Sequence, residues 1–147
     1  MIVDTSAILA IVFAEEDASV HARHIEGAEV CRISAANWLE AAIRVDLGGS
    51  PIAAGAFDDF IEQSGIRIEP VTVEQAQKAR AAYRAYGKGT GHPARLNFGD
   101  CFSYALAKTM RESLLFKGSD FGETDIEAVA SASEEEPPRR DTDDENA

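Results

Sequence analysis

Apolar and polar positions fall into blocks along residues 1–129, and most blocks predict one element. Residues 1–3 form a short apolar run that ends at Asp4-Thr5-Ser6, and residues 7–14 are apolar almost throughout. This predicts a buried strand feeding a helix through a polar turn, with Thr5 or Ser6 as the N-cap. Glu15-Glu16-Asp17 interrupts the run, and residues 18–28 read as a second, more polar helix. The β-branched residues of 30–33 predict a second strand. Ser34 then caps a helix over 35–47, which Gly48-Gly49 stops. Pro51 opens the next helix, Phe57, Phe60 and Ile61 mark its buried face, and Gly65 closes it. Ile66, Ile68 and Val71 predict a third strand. Thr72 and Gln75 have the spacing of a capping box for an alanine-rich helix reaching about Tyr86.

The glycine-rich loop 87–93 precedes Leu96-Asn97-Phe98-Gly99-Asp100, where the chain turns into an apolar helix with an acid at its start. That helix extends to about Arg111, a fourth strand over 113–117 follows, and Gly118-Ser119-Asp120-Phe121 makes a turn. Residues 125–129 form a helical turn or a short edge strand. Strands alternating with helices predict a parallel sheet covered on both faces. In such sheets ligands bind where strand ends lead into loops.

Composition adjusts this picture in three places. The 147 residues suffice for one domain, over 1–129. From Ala130 the chain is small, acidic and proline-bearing, and 130–147 reads as a disordered tail. The net charge of −12 argues against a polyanionic partner, but residues 134–147 hold seven acids against two arginines, leaving −7 for the rest. Cys31 and Cys101 sit in apolar surroundings and read as reduced packing thiols. With no long apolar run and no basic leader segment, a soluble cytoplasmic protein is expected.

The candidate chemistry lies in four acids. Asp4 ends the first strand, Asp100 opens a helix, Asp120 follows the fourth strand, and Glu40 lies within a helix beside Trp38 and Leu39. Each has a structural role open to it: an Asx turn for Asp4, helix caps for Asp100 and Asp120, a pair with Arg44 for Glu40. As a set they point elsewhere, because carboxylates brought together repel one another unless a cation lies between them. Ligation by oxygen alone suits Mg²⁺ or Mn²⁺. Ser6 is placed both to cap the first helix and to orient a carboxylate. His21 and His24 read as a solvated face. Gly87-Lys88-Gly89-Thr90-Gly91 lacks the order of a phosphate loop. Lys88 and Arg95 stand near enough in sequence to the Asp100 turn to meet phosphates, with His92, Arg80 and Arg84 as further candidates.

Met1-Ile2-Val3-Asp4-Thr5-Ser6-Ala7, Glu40 within Ala36-Asn37-Trp38-Leu39-Glu40, the stretch from Leu96 to Ala105, and Leu114-Leu115-Phe116-Lys117-Gly118-Ser119-Asp120-Phe121 together resemble the PIN domain in its VapC toxin branch. The resemblance implies a three-layer α/β/α domain with a central, mostly parallel four- to five-stranded sheet. It also implies a homodimeric, Mg²⁺- or Mn²⁺-dependent endoribonuclease, the toxin of a toxin–antitoxin pair, with a VapB-like antitoxin whose C-terminal segment covers the site. Carried onto this chain, the metal-binding and catalytic acids are Asp4, Asp100, Glu40 and Asp120. Many members carry an acid where Gly118 or Ser119 stands, which leaves Asp125 as an alternative fourth acid. Two other functions fit the same residues: a PIN-like binding module with little catalysis, and a metal-dependent phosphodiesterase or DNA nuclease.

Overall fold

The computed structural model describes residues 1–130, so the tail predicted from Ala130 onward lies, apart from that first residue, outside the described residues. In chain order the elements are β1 (Ile2–Val3), α1 (Thr5–Val12), α2 (Ala18–Gly27), β2 (Arg32–Ser34), α3 (Ala35–Leu47), α4 (Pro51–Ser64), β3 (Arg67–Glu69), α5 (Val73–Tyr86), α6 (Phe98–Met110) and β4 (Leu114–Leu115). A 3₁₀ turn, Asp120–Glu123, follows β4.

The four strands run parallel in the order β3-β2-β1-β4, with Ile2 opposite both Arg32 and Leu114, and Ile33 opposite Ile68. Successive strand residues point to opposite faces, so the sheet serves two cores. Val3, Ile33 and Leu115 pack with Ile8, Ile25, Val45 and Phe57 of the first four helices. Ile2 and Leu114 pack on the other face with Ala79, Ala82, Ala105, Leu106 and Phe121. The result is the three-layer α/β/α arrangement. Among the described residues no helix is long and apolar enough to cross a membrane.

The chain builds outward from β1 through β2 to β3, then returns through α5 and α6 to place β4 on the other side of β1. The winding therefore reverses at β1, and a crevice opens beyond its C-terminal end. Asp4 is the first residue past that end.

Several local expectations hold to the residue. Ser34 caps α3, its Oγ accepting from the Ala36 N–H at 3.3 Å. Gly65 closes α4 at φ 67°, a backbone conformation disfavoured for residues carrying a Cβ. Thr72 Oγ1 accepts from the Gln75 N–H at 3.1 Å.

Other elements differ. α1 begins at Thr5, two residues earlier than expected, and its cap is Asp4, whose Oδ2 accepts from the Ser6 N–H at 3.0 Å. α6 begins at Phe98 with Asn97 as cap. Residues 125–129 form neither a helical turn nor a full strand; they make one parallel bridge, Leu114 to Ala128, beside β4. His21 is not on a solvated face: it is buried, and Nε2 lies 3.1 Å from Asp17 Oδ2. α2 packs against α1, and His21 and Ile25 are its buried residues. Both cysteines are buried and free.

Candidate active site

Three helix N-termini and the turn after β4 gather around the C-terminal end of β1. Asp4 is only 3 % exposed, and both of its carboxylate oxygens accept hydrogen bonds. Oδ2 accepts from the Ser6 N–H and from the Ser6 hydroxyl at 2.6 Å; Oδ1 accepts from the Ser103 hydroxyl at 2.5 Å. Ser6 Oγ in turn accepts from the Lys117 N–H at 2.9 Å, which ties the turn after β4 to the start of α1. These bonds fix the orientation of a buried charge that would otherwise be costly.

Asp100 is the third residue of α6 and completes a capping box with Asn97. Its Oδ2 accepts from the Asn97 N–H at 2.9 Å, while Asn97 Oδ1 accepts from the Asp100 N–H at 2.9 Å. Asp100 is thus a partner in the cap, and the helix uses one of its two oxygens. Burial pushes its carboxyl up to about 7, reinforced by the charges of Asp4, Asp120 and Glu40 and opposed by the bond from Asn97. A buried acid perturbed by neighbouring carboxylates in a cleft is a candidate functional group.

Glu40 turns toward α6 rather than pairing with Arg44. A Cβ built on Gly99 would lie 2.1 Å from Glu40 Oε2 and 2.7 Å from Cδ, so the missing side chain at 99 is what admits the carboxylate. Asp120 starts the exposed 3₁₀ turn; its charge reaches Asp100. Asp125 is engaged elsewhere: Oδ1 accepts from the Tyr104 hydroxyl at 2.7 Å, and Oδ2 lies 3.0 Å from Lys108 Nζ.

A cleft of about 350 Å³ is lined by Asp4, Ser6, Glu15, Glu40, Arg44, Asp100 and Lys117; Asp120 and Asp125 are not among the residues that line it. Lys117 Nζ contacts Glu15 and stands 3.2 Å from Asp17 Oδ1. Neither Lys88 nor Arg95 lines this cleft; the cations that do are Arg44 and Lys117. Sequence reasoning missed both in that role, and missed Ser103 and Asn37 as well. The available signal was polarity at a buried helical position, Ser103 being one turn beyond Asp100 and Asn37 one turn before Glu40.

The donor set is oxygen alone and acidic, which fits a hard divalent cation. Among the described residues, no three Asp, Glu, His or Cys side chains meet around one point that a metal ion could take. Two of the acids already have partners: Asp4 its two serines, and one oxygen of Asp100 the Asn97 N–H. The acids are close enough to repel, and a cation would draw them together.

The PIN domain model matches residues 1–127, and the chain belongs to that family. Within it, the chain is 53 % identical over 127 residues to Ribonuclease VapC28 of Mycobacterium tuberculosis, covering 86 % of this chain and 96 % of the relative. Ribonuclease VapC30 of the same organism is 42 % identical over 130 residues, with 88 % and 98 % covered. Among solved structures, Mycobacterium tuberculosis VapC20, described as a sarcin-ricin loop cleaving toxin, superposes with a TM-score of 0.69 at 20 % identity, covering 87 % of this chain and 97 % of that one. FitAcB from Neisseria gonorrhoeae gives 0.65 at 19 % identity, with 88 % and 96 % covered. A toxin–antitoxin complex from Klebsiella pneumoniae gives 0.59 at 19 % identity, with 82 % and 88 % covered.

Proposed function

We propose that this chain is a divalent-metal-dependent endoribonuclease acting as the toxin of a VapBC-type pair. The observation that carries the reading is that Asp4, Glu40 and Asp100 line one cleft at the C-terminal edge of a doubly wound sheet, where burial and the charges of Asp4, Asp120 and Glu40 push the Asp100 carboxyl up to about 7. The identity to named VapC ribonucleases supports RNA as the substrate. The toxin–antitoxin complex among the structural neighbours supports an antitoxin partner. A homodimer in the cytoplasm completes the reading.

Asp4, Asp100, Glu40 and Asp120 would hold Mg²⁺ or Mn²⁺. When bound, such a cation supplies Lewis acidity toward a phosphate oxygen and acidifies water. Ser6 and Ser103 keep Asp4 oriented. Arg44 offers the cleft's positive charge to the RNA backbone, Lys117 being paired with Glu15 and Asp17, and Glu40 or Asp120 accepts the proton of the attacking water. Unpaired RNA presents its backbone to a cleft of this size more readily than a duplex does.

The test is cleavage of total RNA, single-stranded DNA and a generic phosphodiester side by side, in Mg²⁺ and in EDTA. RNA is expected to be cut in Mg²⁺ alone, and Asp100→Asn is expected to be inactive and to relieve growth arrest on expression. Full activity of Asp100→Asn sinks the reading. Preference for DNA or the generic ester makes the chain a broader phosphodiesterase, and a folded protein that binds no Mn²⁺ makes it a binding module.

A further inference from the structure

Asn37 sits where packing alone would favour an aliphatic side chain. It is fully buried on α3, one turn before Glu40. Its Nδ2 donates to the Gly99 carbonyl at 2.9 Å and to Thr5 Oγ1 at 3.3 Å, and Thr5 Oγ1 donates to the Asn37 carbonyl at 3.2 Å. The amide orientation follows from its partners, because a carbonyl oxygen at Gly99 can only accept. Asn37 Oδ1 is buried with no partner among the described residues. An orphaned acceptor in a core lowers stability, whereas an apolar side chain of similar shape would leave no such acceptor on residue 37.

The contacts share one property: each lies next to an acid. Thr5 follows Asp4, Gly99 precedes Asp100, and Glu40 stands on the next turn of Asn37's own helix. One side chain therefore brackets α1, α3 and α6 at the points from which three carboxylates project.

We propose that Asn37 is a positioning residue that sets the spacing of Asp4, Glu40 and Asp100 without touching substrate. The proposal rests on the metal-dependent nuclease reading of the same cleft. Its effect is on cation affinity and turnover, and RNA binding is left nearly alone.

The test uses Asn37→Leu, Thr5→Val and Thr5→Ser, with Val45→Ala on the same helix as a core control. Mn²⁺ binding to EDTA-stripped protein is measured by calorimetry, and RNA cleavage in Mg²⁺ is resolved into kcat and KM. Asn37→Leu is expected to weaken Mn²⁺ binding roughly 10- to 100-fold and to lower kcat, with KM for RNA within about twofold of wild type. Thr5→Val is expected to lose part of the affinity and Thr5→Ser to restore it. Val45→Ala, compared at equal loss of melting temperature, is expected to bind Mn²⁺ as wild type does. Wild-type affinity in Asn37→Leu, or an equal loss in Val45→Ala, overturns the proposal. If Asn37→Leu does not fold, Thr5→Val against Thr5→Ser decides, and equal affinities overturn it. A wild-type protein that neither binds Mn²⁺ nor cuts RNA overturns the nuclease reading itself, and this proposal with it.

Discussion

Replacing Gly99 by alanine separates the fold from the site. The new Cβ would begin 2.1 Å from Glu40 Oε2, and ordinary van der Waals contact starts at 3.4 Å, so the carboxylate must retreat by about 1.3 Å. Nothing stops it from doing so, because the atom in the way is the free end of a side chain facing a cleft. Gly99 lies in the first turn of α6, where alanine is the better helix former by up to about 1 kcal/mol. Driving Glu40 into a poorer rotamer costs a comparable amount, about 0.5–1.5 kcal/mol. The two effects nearly cancel, and the melting temperature is expected to stay within about 3 °C of wild type. Activity has no such compensation, since a misplacement of this size costs roughly 100-fold in rate. The assay is RNA cleavage in saturating Mg²⁺ beside a thermal melt of the same sample, with Glu40→Gln in parallel. A Gly99→Ala protein with the wild-type rate, while Glu40→Gln is inactive, would refute the reasoning that the missing side chain at 99 seats Glu40.

Three further outcomes are expected. With its folded carboxyl near 7 and an unfolded value of 3.8, Asp100 retains its proton in the native state when the unfolded chain has released it. Metal-free protein should therefore lose stability as pH rises from about 4 to 7 and level off above, and Asp100→Asn should flatten that profile in urea unfolding; two superimposable profiles would count against it. Ser103→Ala leaves Asp4 Oδ1 without its donor in a buried setting and should cost roughly 1–3 kcal/mol in denaturant unfolding, together with much of the activity. Asp120→Asn should abolish cleavage while Asp125→Asn preserves it, because Asp125 is committed to Tyr104 and Lys108; the reverse pattern in a cleavage assay would exchange their roles.

What the sequence made legible follows the range of the interactions involved. Ser34 and Thr72 bond to N–H groups two or three positions away, Pro51 and Gly65 act through their own backbone geometry, and each marked its helix end correctly. The strands are two or three residues long, too short for a period of two to register, so their bounds came out too generous, and the second was displaced, read over 30–33 where β2 is Arg32–Ser34. Asp4 as a cap was hidden behind Thr5 and Ser6, which are equally good caps by residue type alone. The four acids were legible as residues at the functional edge, yet their bonding partners were not. Ser103 reaches Asp4 across 99 positions and Asn37 reaches Gly99 across 62, and no local pattern encodes either bond. Lys88 and Arg95 were chosen by nearness in sequence to Asp100, whereas α3 and the turn after β4 bring Arg44 and Lys117 to the cleft instead.

The two-residue strand β1 has a consequence for how the molecule opens. Ile2 belongs to one core and Val3 to the other, and the amides of Ile2 and Asp4 bond to the carbonyls of Ser113, just before β4, and Leu115, on it, at 2.8 and 2.9 Å. Those amides should exchange with solvent deuterium only when the entire domain unfolds. The turn bearing Asp120 is exposed apart from Phe121 and should exchange through small local openings. Asp4 is thus anchored on the slowest-exchanging part of the molecule, while Asp120 sits on a turn expected to exchange fast, so a ligand bound by both would meet one of them already in place.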